Sequence, residues 1–268
     1  MKGATGFTNV DASRLATELL TYLRRQAELH AGARREDYDR LRLQPGAAVL
    51  DVGCGAGEVC LELAERVGPA GRVCGVDPSV AMLAAAQTSA AAAGRRAELL
   101  AASIYALPFA DGAFDAVRAE RVFQHLEDPA LGLREMIRVT RPGGQVMIID
   151  TDHGSTRLLS GDDSLQRVFA VLIGALVGRM PNPRIGARLA ATIAEAGLAA
   201  VDEIVRWREV RLDDYTPRWY VRGVLSAAID AGEISAVEAE SFLAALEAPD
   251  GAALRVATVS SSVLGGRP

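Results

Sequence analysis

Two segments reveal how this chain folds: Val49-Leu50-Asp51-Val52-Gly53-Cys54-Gly55-Ala56-Gly57 and, shortly after it, Val73-Cys74-Gly75-Val76-Asp77. A short apolar run that ends in an acid is typical of a buried strand in a parallel sheet. The glycines permit a tight turn and let backbone N–H groups approach a ligand closely. Residues 58–67 follow with helical apolar spacing, so the loop leads into a helix. The pattern predicts a nucleoside-binding turn in which Asp77 meets a ribose diol.

The acids around this turn indicate which nucleoside it binds. A dinucleotide fingerprint requires a third glycine or an alanine where this chain has Glu58. Together with Asp51, this carboxylate repels a pyrophosphate and attracts a cation. The sequence therefore favours S-adenosylmethionine, whose amino-acid end carries an ammonium group and which has no phosphate. A nicotinamide-dependent oxidoreductase is the alternative that this reasoning disfavours.

The same segment resembles motif I of the class I S-adenosylmethionine-dependent methyltransferases, and Asp77 resembles their ribose-binding acid. The resemblance runs through residues 45–150 and is greatest to the enzymes that modify small molecules, the ubiquinone, menaquinone and actinobacterial natural-product methyltransferases. It implies a Rossmann-like α/β fold with a seven-stranded, mostly parallel sheet and an antiparallel terminal strand pair. S-adenosylhomocysteine would be the product. The further matching motifs are Leu107-Pro108-Phe109, Phe114-Asp115-Ala116-Val117, His125-Leu126 and Arg141-Pro142-Gly143-Gly144.

Composition limits the classes of function. The 268 residues are 50% hydrophobic, enough for one elaborated α/β domain. A net charge of −5 gives no electrostatic reason to expect a nucleic-acid partner. Lys2 is the only lysine, which argues against Schiff-base chemistry and a phosphate-loop lysine. Three cysteines without ligand spacing, and no signal-like N-terminus, predict a reduced, cytoplasmic location and no metal site.

The chain is predicted to be a single domain with an ordered core. Residues 1–45 form an N-terminal helical lid, with Asp11 as N-cap and Val10 and Leu15 as a hydrophobic staple. Residues 46–150 form the cofactor-binding core, whose alternating elements indicate parallel strands with right-handed crossovers. The predicted strands are Ala48–Val52, Arg72–Val76, Ala97–Ala102, Phe114–Ala119 and Gln145–Asp150, and the predicted helices are Glu58–Val67, Ser79–Ala93 and Pro129–Thr140.

After residue 150 the pattern predicts helical caps and two closing strands. Residues 151–200 and 213–250 are the cap insertions, while 201–212 and 254–264 are the terminal antiparallel strands. Helices are predicted at Ser164–Val177, Arg184–Ala196, Pro217–Ala231 and Ser235–Ala248, the last with a capping box of Ser235 and Glu238. The apolar run Val168–Val177 is shorter than the roughly 20 residues of a membrane span. It could line a substrate pocket, form a homodimer contact or be buried on all sides.

The resemblance assigns the cofactor residues one by one. Asp51 would orient the methionine ammonium, and Asp77 would bind both ribose hydroxyls. The remaining predicted cofactor residues contact the methionine part, the ribose or the adenine: Gly53, Cys54, Gly55, Gly57, Pro78, Met82, Ser103, Ile104, Ala119 and Glu120. Relatives carry an acid four residues before Leu-Pro-Phe, where this chain has Ser103. A hydroxyl accepts from the adenine amino group more weakly than a carboxylate does.

Two histidines are candidates for a general base. His125 lies just past the predicted fourth strand, and His153 follows the fifth, where ligands bind in open α/β sheets. Packing or helix capping is an equally open interpretation of His125, as is an ordinary loop position for His153. His30, in the first helical stretch, is predicted to be a surface residue. Asp150 and Asp152 could hold Mg²⁺, but no third oxygen ligand is evident, so no metal is predicted.

The sequence therefore predicts methyl transfer from S-adenosylmethionine to an O, N or C atom of a small, apolar, natural-product or quinone-like metabolite. An S-adenosylmethionine-binding cyclase or isomerase that transfers no methyl group would share every motif. A non-enzymatic binding module is a third possibility, and an RNA or protein methyltransferase a fourth, although no basic stripe supports the last. Turnover to S-adenosylhomocysteine separates a transferase from the other classes.

Overall fold

A computed structural model describes residues 16–94, 97–159, 161–249 and 253–268. The predicted N-cap Asp11 and the staple of Val10 and Leu15 lie outside these residues. The strands form one seven-stranded sheet in the order β3-β2-β1-β4-β5-β7-β6. Their bounds are β1 Ala48–Val52, β2 Arg72–Asp77, β3 Glu98–Ala101, β4 Phe114–Glu120, β5 Thr140–Leu158, β6 Ala199–Arg211 and β7 Arg255–Gly266.

The sheet confirms the predicted fold class. The first five strands pair in parallel, and β7 runs antiparallel to both β5 and β6. Around it lie α1 Ala16–Arg40, α2 Glu58–Val67, α3 Val80–Ala92, α4 Pro129–Val139, α5 Asp163–Val177, α6 Leu189–Glu195, α7 Leu212–Tyr215, α8 Arg218–Asp230 and α9 Ala236–Leu246. Strand order reverses between β1 and β4, and ligands of open α/β sheets bind beside such a switch point.

Several predicted elements differ in detail from the structure. The strand predicted at Gln145–Asp150 is the longer β5, Thr140–Leu158, which extends into the segment predicted as the first cap. The helix predicted at Arg184–Ala196 is a 3₁₀ turn at Ile185–Arg188 followed by the short α6. The 3₁₀ turn lies so close to β5 that a Cβ at Gly186 would be 2.8 Å from the carbonyl oxygen of Asp150. The strand predicted to end at Leu212 ends one residue earlier, because Leu212 begins α7 and donates its N–H to the Leu254 carbonyl.

Hydrophobic side chains cover both faces of the sheet, and the cap helices bury a cluster of their own. In α5 the side chains of Val168, Phe169 and Leu172 are buried in that cap cluster, whereas Leu176 lies at a cavity wall. The apolar run is therefore both core and pocket wall. Among the described residues, every helix is too short or too polar to cross a bilayer.

Ion pairs hold α1 against the sheet and α2. The buried Asp37 carboxylate accepts from Ser262 Oγ at 2.7 Å and from the Arg206 guanidinium at 2.8 Å, which ties α1 to β7 and β6. Arg34 donates to both carboxylate oxygens of Glu62 on α2, at 2.9 and 2.6 Å. Charge-assisted and bidentate hydrogen bonds are strong, and they fix the orientation of the groups that they join. They place one face of α1 across the carboxyl edge of the sheet.

The capping box predicted at α9 is present, and its removal tests the local stability of the cap. Ser235 Oγ accepts from the Glu238 N–H at 3.2 Å, and Glu238 accepts from the Ser235 N–H at 2.8 Å. Ser235→Ala should lower the free energy of unfolding by about 0.5–2 kcal/mol in denaturant titrations. Glu240→Ala, an exposed change on the same helix, is the control and should stay within about 0.5 kcal/mol. Equal effects of the two changes would contradict this assignment.

Candidate active site

A cavity of about 650 Å³ lies at the carboxyl ends of β1, β2, β4 and β5. This volume is within the range of roughly 300–1,000 Å³ that is usual for small-molecule sites. The wall includes both predicted histidines, His125 and His153. It also includes these predicted cofactor residues: Asp51, Gly53, Cys54, Gly55, Asp77, Pro78, Met82, Ser103, Ile104 and Glu120. Gly57 and Ala119 lie behind the wall.

Backbone N–H groups fix the Asp77 carboxylate at the end of β2. Its Oδ2 accepts from the Gly55 N–H at 2.9 Å, and its Oδ1 accepts from the Ser79 N–H at 2.9 Å. Ser79 also caps α3, because its side chain accepts from the Met82 N–H at 3.2 Å. These backbone N–H groups hold the Asp77 carboxylate in place at the cavity wall.

Gly53, Gly55 and Gly57, between β1 and α2, serve different structural purposes. All three have positive φ, and a Cβ at Gly53 would lie 2.4 Å from Val122 Cγ2. A Cβ at Gly57 would lie 2.7 Å from the Ala86 Cβ, so Gly57 allows α2 to pack on α3. Gly55 has no heavy atom within 4 Å of its Cβ position and lines the cavity. Space is therefore open at Gly55, where the backbone can approach a ligand.

A buried ion triad lies beneath this loop. Asp51 on β1 is directly opposite Arg118 on β4, and their Oδ1 and guanidinium nitrogen are 2.9 Å apart. Arg118 also donates to Glu120 Oε2 at 2.7 Å. The Arg118 side chain is fully buried, while those of Asp51 and Glu120 are 3% and 11% exposed. Sequence reasoning missed Arg118, although an arginine within a buried strand signals a charged partner.

The triad gives its two acids different pKa values. Burial raises the pKa of Asp51 to about 6, although Arg118 opposes this change. Burial also acts to raise the pKa of Glu120, but Arg118, Arg121 and Arg34 outweigh it and lower this pKa to about 2. Glu120 is therefore the firmly ionised acid of the pair, and it is also the more exposed one. Asp51 serves first as the counter-ion of Arg118.

The lid helix contributes a face to the cavity. Tyr22, Gln26 and His30 are spaced by four residues and all line the wall. The Tyr22 hydroxyl donates to the Tyr215 carbonyl at 2.8 Å, and the Gln26 amide donates to the carbonyl of Asp214. The prediction that His30 is a surface residue is wrong. Because α1 lies across the cavity, His30 is half-buried, and burial together with Arg121 lowers its pKa to about 4.

A chain of hydrogen bonds connects both candidate bases. The side chain of Gln124 joins them, with its Nε2 3.0 Å from His125 Nε2 and its Oε1 2.5 Å from His153 Nε2. His153 Nδ1 lies 2.6 Å from the Tyr215 hydroxyl, which in turn lies 2.9 Å from Thr156 Oγ1. The chain links the segment after β4, the long strand β5 and the cap helix α7. Sequence reasoning missed Tyr215, and no local motif around it indicates this contact.

Burial keeps both histidines neutral near pH 7. Desolvation first, and then the Arg121 charge, lower the pKa of His125 to about 4. Desolvation, with His125 and Arg121, lowers the pKa of His153 to about 4. At neutral pH each ring therefore has one N–H donor and one accepting nitrogen.

Asp150 and Asp152, which sequence reasoning considered as Mg²⁺ ligands, have structural contacts. Asp150 is fully buried, and it accepts from the N–H groups of Gln124 and Thr151 at 3.1 and 2.9 Å. Burial raises its pKa to about 7, against these two hydrogen bonds. Asp152 Oδ1 accepts from the Gly154 N–H. No group of three metal-ligating side chains occurs in the described part of the chain.

Residues 49–144 match the family described as a methyltransferase domain. Demethylmenaquinone methyltransferase of Listeria monocytogenes is 38% identical over 125 residues, which are 46% of this chain and 53% of that protein. An uncharacterised 37.1 kDa protein of transposon TN4556 from Streptomyces fradiae is 37% identical over 60% of this chain and 46% of its own length. The chain spans about half the length of these relatives. Within residues 49–144 the chain is therefore similar to methyltransferase domains.

Solved structures share the fold of this chain. A methyltransferase-like protein from Bacillus halodurans superposes with a TM-score of 0.62 at 17% identity, over 87% of this chain and 98% of that one. The [4+2]-cyclase SpnF superposes with a TM-score of 0.53 at 21% identity, over 87% and 79% of the two chains. At these identities the likeness is one of fold.

The family match separates the two sides of the cavity. It covers the glycine loop, Asp77, Glu120 and His125, and it ends before His153 and Tyr215. Ser103 lies within it, exposed at the cavity wall, where its Oγ accepts from the Tyr105 N–H at 3.2 Å. The wall with the glycine loop and Asp77 thus lies within the family match. The parts of the cavity wall that α1 and the caps build lie outside it.

Removing the buried arginine tests the ion triad. Arg118→Met leaves Asp51 and Glu120 without their partner, and the free energy of unfolding should fall by roughly 3–5 kcal/mol in denaturant titrations. Adding Asp51→Asn should recover part of this loss, because one buried charge is then removed. The control is Arg141→Met, whose 2.7 Å pair with Asp115 is 50% and 35% exposed and should contribute under about 1 kcal/mol. A loss for Arg118→Met no greater than for the control would contradict the triad's role.

Proposed function

We propose that this chain transfers a methyl group from S-adenosylmethionine to an O, N or C atom of a small, apolar metabolite of natural-product or quinone-like type. The observation that carries this proposal is one cavity with two unlike walls. The first wall presents the glycine loop and the fixed carboxylate of Asp77. The second presents two histidines, which the Gln124 side chain joins by hydrogen bonds, and apolar cap residues. A donor and an acceptor could lie side by side between these walls.

The donor wall suits S-adenosylmethionine. Asp77 would bind the two ribose hydroxyls, and Pro78 and Met82 would flank the adenine, with Ser103 and Ile104 at its edge. The backbone at Gly53 and Gly55, beside Cys54, would approach the ribose and methionine parts. When bound, the donor supplies a methyl group already activated on a sulfonium. The negative charge of Glu120, with Asp51 beside it, would meet the donor's ammonium group.

The other wall suits an apolar acceptor. Leu176, Met180, Val210 and Pro217 line it, and small-molecule pockets are mostly apolar with few polar anchors. The lid helix α1 and the caps would exclude water and hold the acceptor near the methyl group, which is most of the catalysis that an activated donor needs. His125 and His153 would serve an acceptor that has a proton to lose.

Relatives support a ring-shaped acceptor. Demethylmenaquinone methyltransferases match this chain at 38% identity over 125 residues. These relatives match under half of this chain, and their names describe only their own substrates. The proposal of an apolar acceptor therefore also depends on the apolar residues of the cavity wall. The cyclase or isomerase alternative has less support, since the [4+2]-cyclase SpnF shares the fold at only 21% identity. Release of S-adenosylhomocysteine in an acceptor screen would favour the transferase.

Removing the Asp77 carboxylate tests the donor site. Asp77→Ala should weaken S-adenosylmethionine binding by roughly 1–3 kcal/mol in titration calorimetry, because hydrogen bonds to a charged group are lost. Glu203→Ala removes the same charge from an exposed position on β6 and should leave binding unchanged. NADH should cause no thermal shift where S-adenosylmethionine does. Unchanged affinity in the Asp77 variant would refute the assignment.

Self-association through the edge of the sheet is a separate proposal. β6 forms one edge of the described sheet. Its Val205 and Trp207 side chains lie on the same face of the strand and are 60% and 61% exposed. Long edge strands with exposed apolar side chains pair readily with another strand. We infer a homodimer formed by β6 of two copies.

The cytoplasmic location expected from the cysteines, and the lack of a nucleic-acid partner, stay predictions.

Sedimentation velocity tests the proposed dimer. Trp207→Lys should shift the chain from dimer to monomer, because a charge at the edge opposes strand pairing. Val237→Lys, a change at a 71% exposed position on α9, is the matched control and should leave the dimer intact. A wild-type chain that sediments as a monomer at micromolar concentration would refute the proposal.

A further inference from the structure

The Gln124 amide assigns the proton positions on both histidines. Its Nε2 faces two acceptors, His125 Nε2 at 3.0 Å and the Arg121 carbonyl oxygen at 3.5 Å, while its Oε1 faces His153 Nε2 at 2.5 Å. An amide nitrogen only donates and an amide oxygen only accepts. Therefore His125 Nε2 is an accepting nitrogen, and His153 Nε2 carries a hydrogen.

The accepting nitrogen of His153 must then be Nδ1. Its partner is the Tyr215 hydroxyl at 2.6 Å, so the tyrosine hydrogen points to His153. Thr156 Oγ1, 2.9 Å away, then donates to the tyrosine oxygen. All donors in this chain point the same way, from Thr156 through Tyr215 and His153 to Gln124. Such directed networks polarise their members and hold them in one geometry.

This direction separates the two histidines chemically. The accepting nitrogen of His125 is bonded to an amide N–H, which does not give up its proton. The accepting nitrogen of His153 is bonded to a hydroxyl, which can pass its proton on and take another. His153 is therefore connected to a group that can relay a proton. Tyr215 also lines the cavity.

Building on the proposed function, we propose that Tyr215 and His153 form the proton-accepting pair for a hydroxyl-bearing acceptor, a phenol or an enol. The acceptor's proton moves to the Tyr215 oxygen while the Tyr215 proton moves to His153 Nδ1. One O–H bond of the acceptor breaks and one N–H bond forms on His153. The acceptor oxygen uses the freed electron pair to bond the methyl carbon, whose bond to sulfur breaks with its electrons staying on sulfur. Gln124 is a positioning residue that holds both rings.

The charges around His153 favour this timing. Before transfer, burial, His125 and the Arg121 charge oppose protonation of His153, so the His153 ring stays neutral. Methyl transfer removes the positive charge of the sulfonium, and the proton on His153 restores one positive charge to the same cavity. The pair thus accepts a proton as the donor's charge disappears. The titratable and charged groups around His153 and its hydrogen-bond partner are Arg121, His125, Asp150, Asp152, Arg157, Arg184 and Tyr215.

Nitrogen NMR of ¹⁵N-histidine-labelled protein tests the proton positions without an acceptor. The chain has only three histidines, so single variants assign every ring. We expect an Nε2–H ring at His153 and an Nδ1–H ring at His125. Tyr215→Phe removes a hydrogen bond to neutral His153, so the His153 pKa should rise by roughly one pH unit. Tyr105→Phe, whose hydroxyl also borders the cavity but accepts from Asp128, should leave it unchanged. An Nδ1–H ring at His153, or no pKa change in Tyr215→Phe, would overturn the proposal.

Rates with two phenols test the relay in turnover. With a phenol that is protonated at the assay pH, Tyr215→Phe and His153→Gln should each lower kcat by about 10²–10⁴-fold while KM changes little. With a nitrophenol that is already ionised at that pH, both variants should keep most of the wild-type rate. Equal losses on both phenols would overturn the relay. Calorimetry keeps the outcomes apart: expected proton positions without S-adenosylmethionine binding would refute the proposed function alone.

Discussion

Desolvation of four acids at one edge of the sheet is the constraint on which this structure depends. Asp51, Asp77 and Glu120 end or nearly end β1, β2 and β4, and Asp150 directly follows the last residue of β5 that pairs with β4. Carboxylates in such places are costly unless polar groups meet them. Two of the four pair with the buried guanidinium of Arg118, and the other two accept backbone N–H groups of neighbouring turns. The polar edge that results is also the floor of the cavity.

The same edge explains why the cavity has two unlike sides. Tight turns after β1 and β2 shape the donor side, since they bring N–H groups to Asp77. The other side is closed by α1 and the caps, which are distant from each other in the chain. Hydrogen bonds join them, such as the one from the Tyr22 hydroxyl to the Tyr215 carbonyl. Local turns and long-range packing thus meet in one site.

Much of the fold could be read from residue patterns. Glu58–Val67 was predicted with its observed bounds, because amphipathic spacing and a glycine turn both mark it. The cap was harder: Arg184–Ala196 was predicted as one helix, whereas the close approach of Gly186 to β5 makes its first turn 3₁₀. His30 was placed on the surface because helical spacing shows which residues share a face but not what covers that face. In each case a contact with a distant element outweighed local propensity.

The amino-acid sequence alone was sufficient for the parallel sheet, the glycine turn after β1 and the acids Asp51 and Asp77, because these depend on short-range periodicity, glycine and residue order. It could not reveal that Asp51 lies opposite Arg118, since strand register joins residues 67 positions apart. Nor could it show that His153 meets Gln124 and Tyr215, which come from separate elements. Those contacts arise when β4, β5 and α7 pack together, and they give each buried acid and histidine its charge, its proton position and its partner.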